Sequence, residues 1–255
     1  MERRQTAGDV HVLIAPGLER RGVLAAFTER RGGVSGPPFR SLNLGFRTGD
    51  DPSRVRRNRR RAAKALEVPH LTVARQVHGI RAVRIGPGRA GRGFLDPNGA
   101  LPPADVLVTR GGRVALATLV ADCLPVVMAS DELVVTVHAG WRGLAAGVLN
   151  RAARLFPDPR GVAAAVGPAI GPCHYEVGAE VAVAVAGGSP SGAVRVGRRG
   201  RIFLDLPGTA AKVLRDAGVR HVEIAEECTA CEPDRFFSHR REGRTGRQAA
   251  VAMRM

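Results

Sequence analysis

The chain has 255 residues, of which 44% are hydrophobic and only 4% aromatic, with four cysteines and a formal net charge of +16. That length allows a substantial core built from Val, Ala and Leu, and it excludes a disulfide-dependent miniprotein or a low-complexity chain. The charge is almost wholly arginine, Lys64 and Lys212 being the only lysines; with no recognisable nucleic-acid module beside it, this balance favours an anionic small molecule over a nucleic acid as partner.

Met1 to Gly8 is charged and polar and lacks the apolar stretch of a secretory signal. The apolar runs further on are too short and too interrupted to span a bilayer. A cytoplasmic protein with no membrane association is the expectation. Val23–Thr28 reads as a strand, followed by a Gly/Pro-rich loop to Pro38. Asp51-Pro52 opens a helix, with an acceptor at the N-cap and proline in the first turn. Val55, Ala62, Ala63 and Leu66 recur near helical spacing, which turns Arg56, Arg57, Arg59 and Arg60 outward.

Strands are expected at Thr72–Val77 and Arg81–Ile85, then a Gly/Pro-rich surface loop from Gly86 to Pro103 that has the character of a lid. Further strands are expected at Asp105–Thr109, Val114–Val120, Pro125–Met128 and Leu133–Val137, with Ser130-Asp131 as a hairpin turn. Arg142 to Leu155 reads as one helix, stopped before Pro157. Val162–Val166 reads as a strand, Val177 to Ala186 as a helix and Gly187 to Gly192 as a loop. Ile202–Leu204, helix Gly208–Ala217, and strands Val222–Ala225 and Gln248–Met253 complete the chain. Mixed strands and helices with several hairpins argue an α+β fold rather than a doubly wound parallel sheet.

Three motifs carry the chemistry: Gln76-Val77-His78-Gly79, Ala121-Asp122-Cys123-Leu124-Pro125 and His138-Ala139-Gly140-Trp141-Arg142-Gly143. Each puts a metal-capable side chain at the end of an expected strand. Two imidazoles and a thiolate, His78, Cys123 and His138, make a ligand set for a catalytic zinc with one open position. Mixed nitrogen and sulfur ligation suits zinc better than copper. Arg142 follows at the start of the expected helix, where glycines, helix-start amides and a guanidinium could together hold phosphate. Gln76 would share a strand face with His78 and line a pocket. Asn43, between Leu42 and Leu44, could recognise a base or sugar, or cap a turn. Asp122 could orient a ligand or close a turn. Cys228-Thr229-Ala230-Cys231 has the spacing of redox and zinc sites but no second pair, and reads as structural.

These motifs resemble the YfiH-like laccase-domain family, also called the polyphenol oxidase family and, more recently, purine nucleoside phosphorylases. The resemblance runs from Phe27-Thr28 and Ser41-Leu42-Asn43-Leu44-Gly45 through the three motifs to Gly167-Pro168-Ala169-Ile170-Gly171-Pro172-Cys173, Phe236-Phe237-Ser238-His239-Arg240 and Thr245-Gly246-Arg247-Gln248. It implies a single domain over residues 1–255, an α/β sandwich with mixed sheets. It implies that His78, Cys123 and His138 are the metal ligands and that Arg247 is structural, paired with a buried carboxylate. It further implies zinc-dependent phosphorolysis of adenosine, inosine, guanosine and methylthioadenosine, with adenosine deamination at the same centre. Small-molecule nucleoside and phosphate are then the partners.

The rival readings are a copper-dependent polyphenol oxidase, a cysteine hydrolase or amidase using Cys123, and a basic nucleic-acid-binding protein. Seven histidines without His-x-His spacing are too few for several copper ions.

Overall fold

The computed structural model describes every residue except Ala7, Ala100, 189–193 and 198–199. In chain order the strands are β1 (Glu2–Gln5), β2 (His11–Ile14), β3 (Val23–Thr28), β4 (Thr72–Val73), β5 (Ala82–Arg84), β6 (Val106–Thr109), β7 (Leu116–Val120), β8 (Leu124–Ala129), β9 (Val134–Ala139), β10 (Ala163–Val166), β11 (Glu176–Val177), β12 (Val194–Val196), β13 (Ile202–Leu204), β14 (His221–Ile224) and β15 (Gln248–Arg254). The helices are α1 (Pro16–Glu19), α2 (Pro52–Ala65), α3 (Trp141–Ala145), α4 (Val148–Ala153), α5 (Ala179–Gly188), α6 (Leu206–Asp216) and α7 (His239–Glu242).

Two mixed six-stranded sheets, ordered β1-β2-β3-β15-β7-β4 and β14-β10-β8-β9-β6-β5, dominate, with a small antiparallel sheet β11-β13-β12 beside them. Successive side chains of a strand point to opposite faces, and the burial follows that period of two. Ala250 and Ala252 of β15 and Ala25 and Phe27 of β3 meet Val127 and Ala129 of β8 and Ala163 and Ala165 of β10 between the sheets. The alternate residues Ala249, Val251 and Met253 face Ala62, Ala63 and Leu66 in and just beyond α2. On the far side of the second sheet, Val126, Met128, Ala164 and Val166 pack against Leu149 and Ala152 of α4 and Ala210 and Leu214 of α6. The result is a sandwich of helix, sheet, sheet and helices, in agreement with the mixed-sheet α+β expectation.

The Asp51 side chain caps α2 by accepting from Ser53 N, as the Asp-Pro start foretells. Other expectations need correction. The strand expected over 72–77 ends at Val73, and Ala74 to Gly79 is irregular. The helix expected over 142–155 is two helices, broken at Gly147, whose φ of +79° is left-handed. α5 runs to Gly188, and the rest of the loop expected over 187–192 lies outside the described residues. The charged N-terminus adds β1 and β2 to the first sheet, paired through Glu2↔Ile14 and Arg4↔Val12.

Candidate active site

The chain passes from the first sheet to the second between β7 and β8, and Cys123 sits in that crossing. β4 lies beside β7, so the turn that follows it brings His78 to the crossing. β9 lies beside β8 with Pro125↔His138 in register, so His138 arrives from the other sheet. The three motifs therefore meet at a corner between two sheets, not along one sheet edge. The donor atoms of His78, Cys123 and His138 all lie within 4.8 Å of one another. Cys123 Sγ is 3.8 Å from His78 Nε2, and the two imidazoles meet edge to face with centroids 4.8 Å apart.

One carboxylate organises this corner. Asp105 is buried just before β6, and its Oδ1 accepts from His138 Nδ1 at 2.8 Å and from His78 N at 2.9 Å. Its Oδ2 accepts from Gly79 N at 2.8 Å, and Val77 N also donates to it. Asp105 thus frees His138 Nε2 to face the cluster. It also supports His78 in a left-handed conformation, φ +60°, that a non-glycine residue adopts only when surrounding bonds over-determine it. Asp105 opens an expected strand and gives no sequence signal of this role, because its partners come from 26 to 33 residues away.

Burial raises the Cys123 thiol, but hydrogen bonds and charge from His138 and His78 outweigh it and bring the pKa down to about 6. Burial opposes protonation of His138, yet Asp105 and Cys123 hold it above the ordinary imidazole value, at about 9. The cluster thus pairs a thiolate with a protonated His138; the thiolate is the form of cysteine that binds metal, and an ion bound here would displace the proton from His138 Nε2. Gly140 leaves room for the cluster: a Cβ there would lie 2.7 Å from His78 Cδ2 and 3.2 Å from Cys123 Sγ. The donor set and its spacing fit a metal ion.

The cluster opens into a cavity of about 780 Å³. Arg47, Arg59, Arg75, Arg142 and Arg247 line it, and no Asp or Glu does among the described residues. Val73, Leu101 and Leu119 supply apolar wall, and Gly93, Pro97, Asn98 and Gly99 of the segment expected to be a lid form another side. Such a basic, partly apolar chamber suits a ligand with both a flat apolar body and an anion.

Arg142 is exposed, at the cavity, with its guanidinium 4.3 Å from the centroid of the Trp141 ring. α3 has five residues, so a helix-end dipole adds little and the guanidinium is the feature that bears on anions. Gln76 lines the cavity from irregular backbone, where its amide imitates a strand pair: Nε2 donates to Leu119 O at 2.7 Å and Oε1 accepts from Leu119 N at 2.8 Å. Asn43 does not line the cavity. It is fully buried, its amide donating to Thr48 Oγ1 and Asp50 Oδ2 and accepting from Gly45 N and Arg247 N. It shapes the cavity by holding Gly45 and Arg247, both lining residues.

Two arginines depart from expectation. Arg59 faces inward, buried, donating to Leu44 O and Phe94 O with its guanidinium 4.5 Å from the centroid of the Phe46 ring. Among the described residues Arg247 pairs with no carboxylate; it donates to Thr245 O and Gly246 O. Asp122, at φ +88°, accepts from Thr229 Oγ1 and from Arg240 N at 2.6 Å each, tying the residue before Cys123 to α7 and to the Cys228–Cys231 loop.

A family model described as multi-copper polyphenol oxidoreductase laccase matches residues 24–255. Purine nucleoside phosphorylase YlmD of Geobacillus stearothermophilus is 38% identical over 244 residues, covering 90% of this chain and 89% of that protein. A purine nucleoside phosphorylase of Xylella fastidiosa strain Temecula1 is 42% identical over 257 residues, covering 94% and 96%. The crystal structure of YlmD from Geobacillus stearothermophilus superposes with a TM-score of 0.92 at 36% identity, covering 99% of this chain and 98% of that one.

Proposed function

The chain belongs to the laccase-domain family of YfiH and YlmD, and on that footing we propose that it is a zinc-dependent purine nucleoside phosphorylase that also deaminates adenosine. Adenosine, inosine, guanosine and methylthioadenosine are the substrates, with phosphate as co-substrate. The observation that carries the reading is that His78, Cys123 and His138 stand at one end of a cavity lined, among the described residues, by five arginines and no acidic side chain.

His78 Nε2, Cys123 Sγ and His138 Nε2 would hold the ion. When bound, zinc supplies Lewis acidity toward an oxygen and lowers the pKa of water toward neutrality, to about 7. Everything else falls to the chain. Asp105 fixes the His138 tautomer through its 2.8 Å bond. Arg142, with the other cavity arginines, draws phosphate and offsets its charge as it nears the sugar carbon. The apolar wall takes the purine. Phosphorolysis needs the arginines, whereas deamination needs the metal site, water and the purine pocket but no phosphate. The names of the relatives support phosphorolysis; deamination, substrate range and metal identity extend that reading.

The test is incubation with adenosine, with and without phosphate, following adenine, ribose phosphate and inosine. Adenine release that depends on phosphate, alongside inosine formation that does not, is the expected result. Adenine release at the same rate without phosphate would overturn phosphorolysis.

One observation favours a second reading. Cys123, His138 and Asp105 form a linked thiol–imidazole–carboxylate series, the arrangement of a cysteine nucleophile with its base. A cysteine hydrolase or amidase would keep its activity after chelation; the zinc enzyme loses it.

A further inference from the structure

A second cluster of metal-capable side chains lies outside the cavity: Cys173, His174, Cys228 and Cys231, whose donor atoms all fall within 4.8 Å of one another. Cys173-His174 ends the loop after β10, and Cys228 and Cys231 bracket the loop after β14. These neighbouring parallel strands bring the loops together, and Ala169 and Cys228 bridge them. The C-x-x-C pair thus finds its partners 54 to 58 residues earlier in the chain.

The geometry points to a structural zinc site, and we propose that Cys173, His174, Cys228 and Cys231 bind one zinc ion in a closed three-cysteine, one-histidine site. Tetrahedral zinc with bonds of about 2.3 Å to sulfur and about 2.0–2.1 Å to nitrogen sets donor separations of roughly 3.5–3.8 Å. Four edges lie in that range or within 0.1 Å of it. Cys173 Sγ lies 3.5 Å from Cys231 Sγ, and His174 Nδ1 lies 3.4 Å from Cys173 Sγ, 3.4 Å from Cys231 Sγ and 3.9 Å from Cys228 Sγ. One imidazole nitrogen facing three sulfurs is more than a pair of hydrogen bonds needs.

Cys228 has the surroundings of a thiolate. Gly171 N donates to its sulfur at 3.2 Å. Amides directed at a cysteine sulfur stabilise the charged form that binds metal. Gly171 eases this approach, since a Cβ there would lie a tight 3.3 Å from Cys228 Cβ and 3.4 Å from Cys173 Sγ. Four protein ligands leave no open position, so the ion is structural rather than catalytic.

Its effect reaches the other centre through the chain. Thr229, between the two loop cysteines, donates to Asp122 Oδ1, and Asp122 O accepts from Ile170 N. The ion would clamp the two loops that hold the residue preceding Cys123.

Elemental analysis of protein purified under reducing conditions with zinc present tests the assignment. About two zinc ions per chain are expected, falling to about one in Cys231→Ser and in His174→Ala. Cobalt added to the Cys123→Ala protein should still give the visible bands and sulfur-to-metal absorption of a tetrahedral thiolate site, and these should vanish when Cys231→Ser is added. A failed assignment at His78, Cys123 and His138 reads differently, as Cys123→Ala losing no metal. The proposal is overturned if Cys231→Ser and His174→Ala hold as much zinc as the parent. It is equally overturned if the parent, reduced and zinc-supplied, binds no more than the Cys231→Ser protein, or if a Cys173–Cys231 disulfide accounts for both thiols.

Discussion

Asp105 and His138 form a buried pair, Oδ1 accepting from Nδ1 at 2.8 Å, and the same carboxylate receives the amides of Val77, His78 and Gly79. One side chain thereby sets the orientation of one histidine and the backbone of the other. Asp105→Asn retains the shape but presents an NH₂ group to a ring of donors. Loss of such a partner typically costs about ten- to a hundredfold in metal affinity. Competition with a chromogenic chelator reads that loss directly; unchanged affinity would mean that Asp105 serves only the fold.

Cys123→Ala should remove the metal of the cavity site together with both activities. Its circular dichroism should match the parent, because Cys123 occupies a crossing turn while the core is made by strands on either side. Full activity in this variant would take Cys123 out of the chemistry.

Arg142→Ala should raise the phosphate KM by about ten- to a hundredfold, the cost of one charge-assisted contact. Deamination in the same preparation should fall far less, since it uses water. A parallel loss of both would assign Arg142 to the nucleoside pocket instead.

Glu29 supplies a pH-dependent term in stability. It is fully buried and accepts from Arg3 Nε and Nη2 and from Arg235 Nε. Burial alone would raise its carboxyl, but the hydrogen bonds from Arg3 and Arg235 outweigh it and hold it below the usual range. The folded protein then keeps the charge while the unfolded chain takes up a proton. The stabilisation is full above the unfolded value of about 4.3 and fades as pH falls through the lower folded value. Glu29→Gln should cost about 1.5–3 kcal/mol at neutral pH, and the gap to the parent should close in acid. Urea titrations at neutral pH and near pH 3 measure it; a gap that widens in acid would contradict the assignment.

Most elements were legible because they are local. β3 and β13 match their expected limits, and the Asp51-Pro52 cap sets the start of α2. The three donors were legible as motifs, but the corner that joins them depends on which strands pair, and pairing is not written in any short segment. Arg59 illustrates the difficulty: helical period puts it on the solvent side, yet Leu44 O and Phe94 O, from distant loops, draw it inward. Asp105 and the partners of Cys228 and Cys231 went unread for the same reason. Gln76 came to the cavity, though by irregular backbone and with its amide spent on Leu119.

The crossing between β7 and β8 has a thermodynamic consequence. His78 follows a strand of one sheet, His138 belongs to a strand of the other, and Cys123 stands on the short stretch that joins β7 of the first to β8 of the second. An ion shared by these three is a clasp across the sandwich, and its binding energy becomes folding energy wherever opening the layers breaks the site. At a free concentration of a thousand times its Kd it would add about 4 kcal/mol. Chelation would then lower the Tm and speed amide exchange in β7, β8 and β9 together, and substrate turnover would report on the cohesion of the two sheets as much as on the chemistry at their corner.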